Sequence, residues 1–170
     1  MTTIAFIGFR GSGKTTLGKW LAEELDLTFV DTDEKILSNL GYETVKEAWD
    51  EIGEEGWREA ELRLIPDLLE QGGVVSLGGG APMIPLVSKA LANCSVVFNL
   101  TASEEDTLNR IEKGTDRPTL SEVDAEVRVQ RLPTYAMIAT CGINTSGAIS
   151  ACQTKILDFL AHGHQLPPKY

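Results

Sequence analysis

The stretch Gly8-Phe9-Arg10-Gly11-Ser12-Gly13-Lys14-Thr15 has the spacing G-x-x-x-x-G-K-[ST], and it dictates what must surround it. Such a loop leaves a buried strand and enters a helix. Its glycines let backbone N–H groups wrap a polyphosphate, and the helix N-terminus faces the same anion. Ile4-Ala5-Phe6-Ile7 supplies the apolar strand, and Thr16 through Leu25 carries a helical pattern. In that setting Lys14 reaches the β- and γ-phosphates, and the Thr15 hydroxyl meets a magnesium ion. Gly11, Ser12, Gly13, Lys14, Thr15 and Thr16 are therefore expected to hold a nucleoside triphosphate. A glycine-rich turn that binds nothing is the competing reading, and the complete strand, loop and helix order weighs against it.

Further along, strand-like and helix-like segments alternate. Strands are expected at 3–7, 28–31, 73–77, 95–100 and 141–145. Helices are expected at 15–25, 33–40, 44–52, 54–71, 84–92, 103–113, 124–138 and 148–161. This alternation predicts an α/β fold: a five-stranded parallel sheet with helices on both faces, and ligands at the carboxyl ends of the strands. With 170 residues, no repeat and no linker, one domain is expected. Residues from about Gly114 to Val123 break the periodicity and read as a mobile loop, a lid over about 113–124. The tail from about His162 is expected to fray.

Two further sites stand at strand ends. Asp31-Thr32-Asp33 follows the apolar pair Phe29-Val30, and alternation along a strand would put both acids on one face beside the phosphate loop. One carboxylate suits a water-shelled magnesium ion; the other suits an attacking hydroxyl. Asp33 also stands where it could cap the following helix. Gly78-Gly79-Gly80 follows Val74-Val75-Ser76-Leu77, and glycines there permit a close backbone approach to a ligand; a flexible turn before Pro82 is the plainer alternative.

Taken in order, these motifs resemble the shikimate kinase family over nearly the whole chain. That family follows the D-x-D strand with G-E-x-x-F-R-x-x-E, here Gly53-Glu54-Glu55-Gly56-Trp57-Arg58-Glu59-Ala60-Glu61. It has a triple glycine after its third strand, an Arg-Pro pair in its lid (Arg117-Pro118), and a later R-x-P-x-Y, here Arg131-Leu132-Pro133-Thr134-Tyr135. The resemblance implies a nucleoside monophosphate kinase-like fold and phosphoryl transfer from MgATP to the 3-hydroxyl of shikimate, a step toward chorismate and the aromatic amino acids. It implies that Arg58 and Arg131 grip the substrate carboxylate, a task suited to planar guanidinium groups. Asp33 would bond the ring hydroxyls and position the attacking one, and the backbone at Gly79 would approach the ring. Arg117 would steady the phosphates as the lid closes, and Asp31 and Thr15 would serve the metal. Trp49 and Trp57 stand where the family has phenylalanines near the substrate. The loop after the last strand, Asn144-Thr145-Ser146-Gly147-Ala148, lacks the family's basic residue, which leaves base recognition to backbone groups.

Composition narrows the alternatives. With 25 acidic and 15 basic residues the formal charge is −10, which argues against a general nucleic-acid or anionic-membrane binder. Nothing resembles a membrane span or a signal peptide. Cys94, Cys141 and Cys152 have no metal-ligand spacing and read as buried free thiols in a reducing compartment. A cytoplasmic monomer is expected. Asp50-Glu51-Ile52-Gly53 matches the D-x-x-G of GTPase switches, but it falls in a helical pattern and no N-K-x-D accompanies it. A gluconate or nucleoside monophosphate kinase of the same fold and an inactive nucleotide-binding module remain the rival readings.

Overall fold

The phosphate loop hangs from the middle of the sheet. β1 (Thr3–Gly8) is buried along its whole length and lies between β3 (Gly73–Ser76) and β4 (Val96–Thr101), with β2 (Phe29–Asp31) and β5 (Cys141–Asn144) outside them. The chain is seen here as a computed structural model that describes residues 2–112 and 122–162. Each pairing in the sheet is parallel, in the order β2-β3-β1-β4-β5. All five expected strands form, with ends that shift by a residue or so.

Period-two alternation sorts the side chains of β1 to the two faces. Ile4 and Phe6 join Leu17 and Leu21 of α1 (Lys14–Glu24), together with Phe98, Leu100 and Ile156. Ala5 and Ile7 join the other side with Ile65 and Leu69 of α3 (Val45–Glu70), Val87 and Leu91 of α4 (Pro85–Leu91), and Tyr135 of α6 (Glu122–Ile138). Near-continuous apolar strands are what a parallel sheet covered on both faces requires. A third cluster, Ile36, Ala48, Trp57 and Ala60, joins α2 (Thr32–Leu40) to α3. A short 3-10 helix over Ala81–Met83, α5 (Glu104–Glu112) and α7 (Ile149–His162) complete the described elements.

Local chemistry sets the helix boundaries near the site. Gly41 ends α2 in the left-handed conformation, φ 81°. Thr44 caps α3 by accepting a hydrogen bond from the Glu47 N–H at 3.1 Å. α3 is broken at Gly53, whose φ of 70° and ψ of 179° are not helical, so the two helices expected at 44–52 and 54–71 abut at this residue. The D-x-x-G match therefore ends at a break within a helix, away from any strand end.

Three expectations change. Glu122 already belongs to α6, so the loop expected over 113–124 stops earlier, and Arg117 and Pro118 lie outside the described residues. His162 is the last residue of α7, its Nδ1 3.0 Å from the Asp158 carbonyl oxygen; the rest of the expected tail is outside the described residues. Of the cysteines, all free, only Cys152 is buried; Cys94 and Cys141 are half-buried, and burial pushes the Cys94 thiol up to about 11.

Candidate active site

On the nucleotide side, the loop after β1 turns on left-handed glycines. Gly11 and Gly13 have φ of 78° and 96°, values that a side chain would strain. The Ser12 N–H donates to the Phe9 carbonyl at 3.2 Å and closes the turn. Lys14 folds back over it, its Nζ donating to the Gly8 and Phe9 carbonyls at 2.9 and 3.0 Å. Its charge is thereby held at the mouth of the loop, where N–H groups at the start of α1 would also favour an anion. Thr16 lies exposed in that first turn.

The Thr15 hydroxyl donates to Asp31 Oδ2 at 3.0 Å. This pair of hard oxygens fits magnesium, which takes few protein ligands and keeps several waters. Among the described residues no group of three or more His, Cys, Asp or Glu side chains could form a fuller metal cage. Asp31 Oδ1 meanwhile accepts from the Asp33 and Glu34 N–H groups at 3.0 and 3.4 Å, capping α2. Two corrections follow. Asp31, and not Asp33, is the cap, because β2 ends at Asp31 and the chain turns helical at Thr32. The two acids approach the site through that cap and not by alternation along a strand, since Asp33 stands in the first turn of α2.

A second part of the site is built round Gly78-Gly79-Gly80. None has a positive φ; what matters is the missing side chain. A Cβ at Gly78 would collide with an Asp33 carboxylate oxygen, and one at Gly80 with the Arg58 guanidinium. At Gly79 it would lie 3.1 Å from an Arg131 guanidinium nitrogen. The reading of a loose turn is thus replaced by a bed shaped to three charged side chains. The Gly78 N–H donates to the Thr32 hydroxyl at 3.0 Å, locking the D-x-D turn to this bed. Arg58 and Arg131 share a cleft of about 450 Å³ with Glu54, Gly80, Ile84 and Val127.

Charge behind the cleft is tightly arranged. Arg58 donates to Glu61 at 2.5 Å and to exposed Glu54 at 3.4 Å. Glu61 is buried, and burial pushes its carboxyl up; the Arg58 guanidinium pulls it back and Asp33 raises it again. Tyr135, also buried, donates from its hydroxyl to the Gly79 carbonyl and bonds Arg131. Burial raises its pKa, against the pull of the Arg131 and Arg58 charges.

Sequence reasoning missed one cation entirely. Arg110 of α5 donates to the Gly11 carbonyl at 3.2 Å, the Thr145 hydroxyl at 3.1 Å and the Thr145 carbonyl at 2.5 Å. The loop after β5 thus does have a basic partner, supplied from α5. The only advance signal was its place in an amphipathic helix beside the expected lid. The tryptophans also part company. Trp49 is partly exposed and stacks on Arg58, with 5.8 Å from Arg58 Cζ to the ring centroid, whereas Trp57 fills the α2–α3 core and bonds Glu61.

The same fold recurs in known proteins. A family model described as "Shikimate kinase" matches residues 10–161. The chain belongs to the shikimate kinase family. It is 36% identical over 165 residues to the shikimate kinase of Francisella tularensis subsp. novicida (strain U112), covering 92% of this chain and 93% of that protein. The shikimate kinase of Caldicellulosiruptor bescii is 35% identical over 133 residues, 78% of this chain and 77% of that protein. Among solved structures, shikimate kinase from Acinetobacter baumannii in complex with shikimate superposes with a TM-score of 0.84 at 27% identity, covering 98% of this chain and 96% of that one.

Proposed function

We propose that this shikimate kinase family member transfers the γ-phosphoryl group of ATP to the 3-hydroxyl of shikimate, giving shikimate 3-phosphate and ADP. The supporting observation is the glycine bed: Asp33, Arg131 and Arg58 are seated against consecutive glycines after β3, the strand paired with β1, which leads into the phosphate loop. A carboxylic acid bearing ring hydroxyls suits that set, with two guanidiniums for its carboxylate and one carboxylate for its hydroxyls.

The hydroxyl oxygen forms a bond to the γ-phosphorus as the bond from that phosphorus to the β–γ bridging oxygen breaks, and Asp33 receives the hydroxyl proton. Lys14 meets the charge that gathers on the phosphates, and Arg117 is assigned to join it from the lid. Thr15 and Asp31 would hold Mg²⁺, which supplies charge neutralisation on the β- and γ-oxygens. Arg58 and Arg131 fix the ring so that the attacking oxygen stays in line. The protein is proposed to work as a single-domain cytoplasmic monomer; no described helix is long and apolar enough to cross a membrane.

An ADP-release assay with MgATP tests the reading, comparing shikimate, gluconate, nucleoside monophosphates and no acceptor. Release dependent on shikimate is expected. Release with another acceptor would keep the phosphate site and overturn the substrate; no release with any would leave a nucleotide-binding module.

A further inference from the structure

Thr145 stands in the loop after β5, on the side of the site where a base would be read, yet its hydroxyl reaches the phosphate loop. It is buried, and its N–H donates to the Thr101 carbonyl at 2.7 Å, so its backbone is fixed. Its hydroxyl donates to the Ser12 carbonyl at 2.8 Å across 133 positions of sequence, shorter than its 3.2 Å approach to the Thr101 carbonyl. The same oxygen accepts from Arg110, and Arg110 also donates to the neighbouring Gly11 carbonyl. Consecutive carbonyls of the phosphate loop are thus held from behind.

We propose that Thr145 is a positioning residue of the phosphate loop: by holding the Ser12 carbonyl it orients the Gly13 N–H toward the bound phosphates. The C=O and N–H of a trans peptide point in opposite directions, so anchoring one aims the other. Here the anchor matters more than usual. Gly13 sits at φ 96°, and a glycine next to a peptide offers little resistance to that peptide's rotation. Without the hydroxyl the Ser12–Gly13 unit is free to turn its carbonyl, a negative dipole end, toward the phosphate. The inference rests on the phosphate-loop reading and adds to it that the grip is set from the far strand, irrespective of the base.

The test compares wild type, Thr145→Val and Thr145→Ser for equilibrium binding of MgATP, MgGTP and magnesium tripolyphosphate, with thermal midpoints recorded alongside. Thr145→Val should weaken all three by a similar factor, roughly tenfold, the worth of one hydrogen bond made to a bound anion's cradle. Thr145→Ser keeps the hydroxyl and should bind within about twofold of wild type. At saturating ATP the KM for the acceptor should stay put while the KM for ATP rises in Thr145→Val. Wild-type affinity in Thr145→Val overturns the proposal. So does a loss confined to ATP, which would make Thr145 a base contact, or a Thr145→Ser variant as weak as Thr145→Val, which would make it a packing residue. Should Thr145→Val not fold, Thr145→Ala, which cannot overfill the site, takes its place with the same outcomes. A wild-type chain that binds none of the three ligands fails the phosphate-loop reading itself.

Discussion

The two halves of the site use glycine for opposite reasons. In the phosphate loop, Gly11 and Gly13 supply backbone conformations that L side chains rarely adopt. In the proposed acceptor bed, Gly78, Gly79 and Gly80 have ordinary backbones, and their contribution is room for the Asp33, Arg131 and Arg58 side chains. The surroundings differ to match. The nucleotide half is held mainly by backbone carbonyls that accept from Lys14, Arg110 and Thr145. The proposed acceptor half is charge against charge, with buried Glu61 between half-buried Arg58 and Asp33. Peptide geometry governs the first half and side-chain volume and charge the second, so substitutions should separate them.

The sharpest break removes chemistry from either half. Lys14→Met or Asp33→Asn should lower turnover on the order of a thousandfold or more in a folded protein, because each withdraws a group that the proposed reaction assigns to the transferring phosphate or the attacking hydroxyl. An Asp33→Asn enzyme with unchanged kcat would strike it from the site. Next comes the acceptor anchor. Arg58→Ala or Arg131→Ala should cost about 2–5 kcal/mol by leaving a carboxylate without its charged partner. This is roughly thirty- to several-thousandfold, read mostly in the KM for shikimate with the ATP KM little moved. An unchanged shikimate KM in Arg131→Ala would move the carboxylate elsewhere.

The glycines then test the comparison directly. Gly80→Ala should push Arg58 aside and lower kcat/KM for the acceptor by about a hundredfold, the scale of an ångström's misplacement, while MgATP binding holds. Gly13→Ala should do the reverse, weakening MgATP by about tenfold, the penalty for a left-handed alanine. If both variants lost both ligands equally, the two halves would be one cooperative unit.

The smallest effect concerns Glu61. Burial raises its folded pKa above the ordinary 4.5, so the fold favours the protonated form. That contribution is complete below pH 4.5 and is lost as pH rises through the higher folded value. Urea midpoints of wild type should therefore fall relative to Glu61→Gln across that rise, and parallel curves would remove the assignment.

Much of this was legible because it is local. Strand, loop and Lys-Thr are contiguous, and the breaks at Gly41 and Gly53 fall where the helical pattern lapses. The arrangement of the acids was misread, since Asp31 and Asp33 are two residues apart whether they lie on a strand or across a cap. Only the observed end of β2 decides between these. Arg110, and the contact of Thr145 with the phosphate loop, escaped notice because the partners lie 99 and 133 positions away, and no spacing rule spans such distances. Glu61 stood in the sequence only as the last residue of the G-E-x-x-F-R-x-x-E stretch; its burial depends on the packing of α2 and α3 around Trp57.

The stacking of Trp49 on Arg58 has an optical consequence. Trp57 is buried in the core, whereas the Trp49 ring lies against Arg58, the proposed acceptor anchor. A carboxylate arriving at that guanidinium alters the electric field across the ring, and the chain's own emission becomes a gauge of whether the acceptor half is occupied.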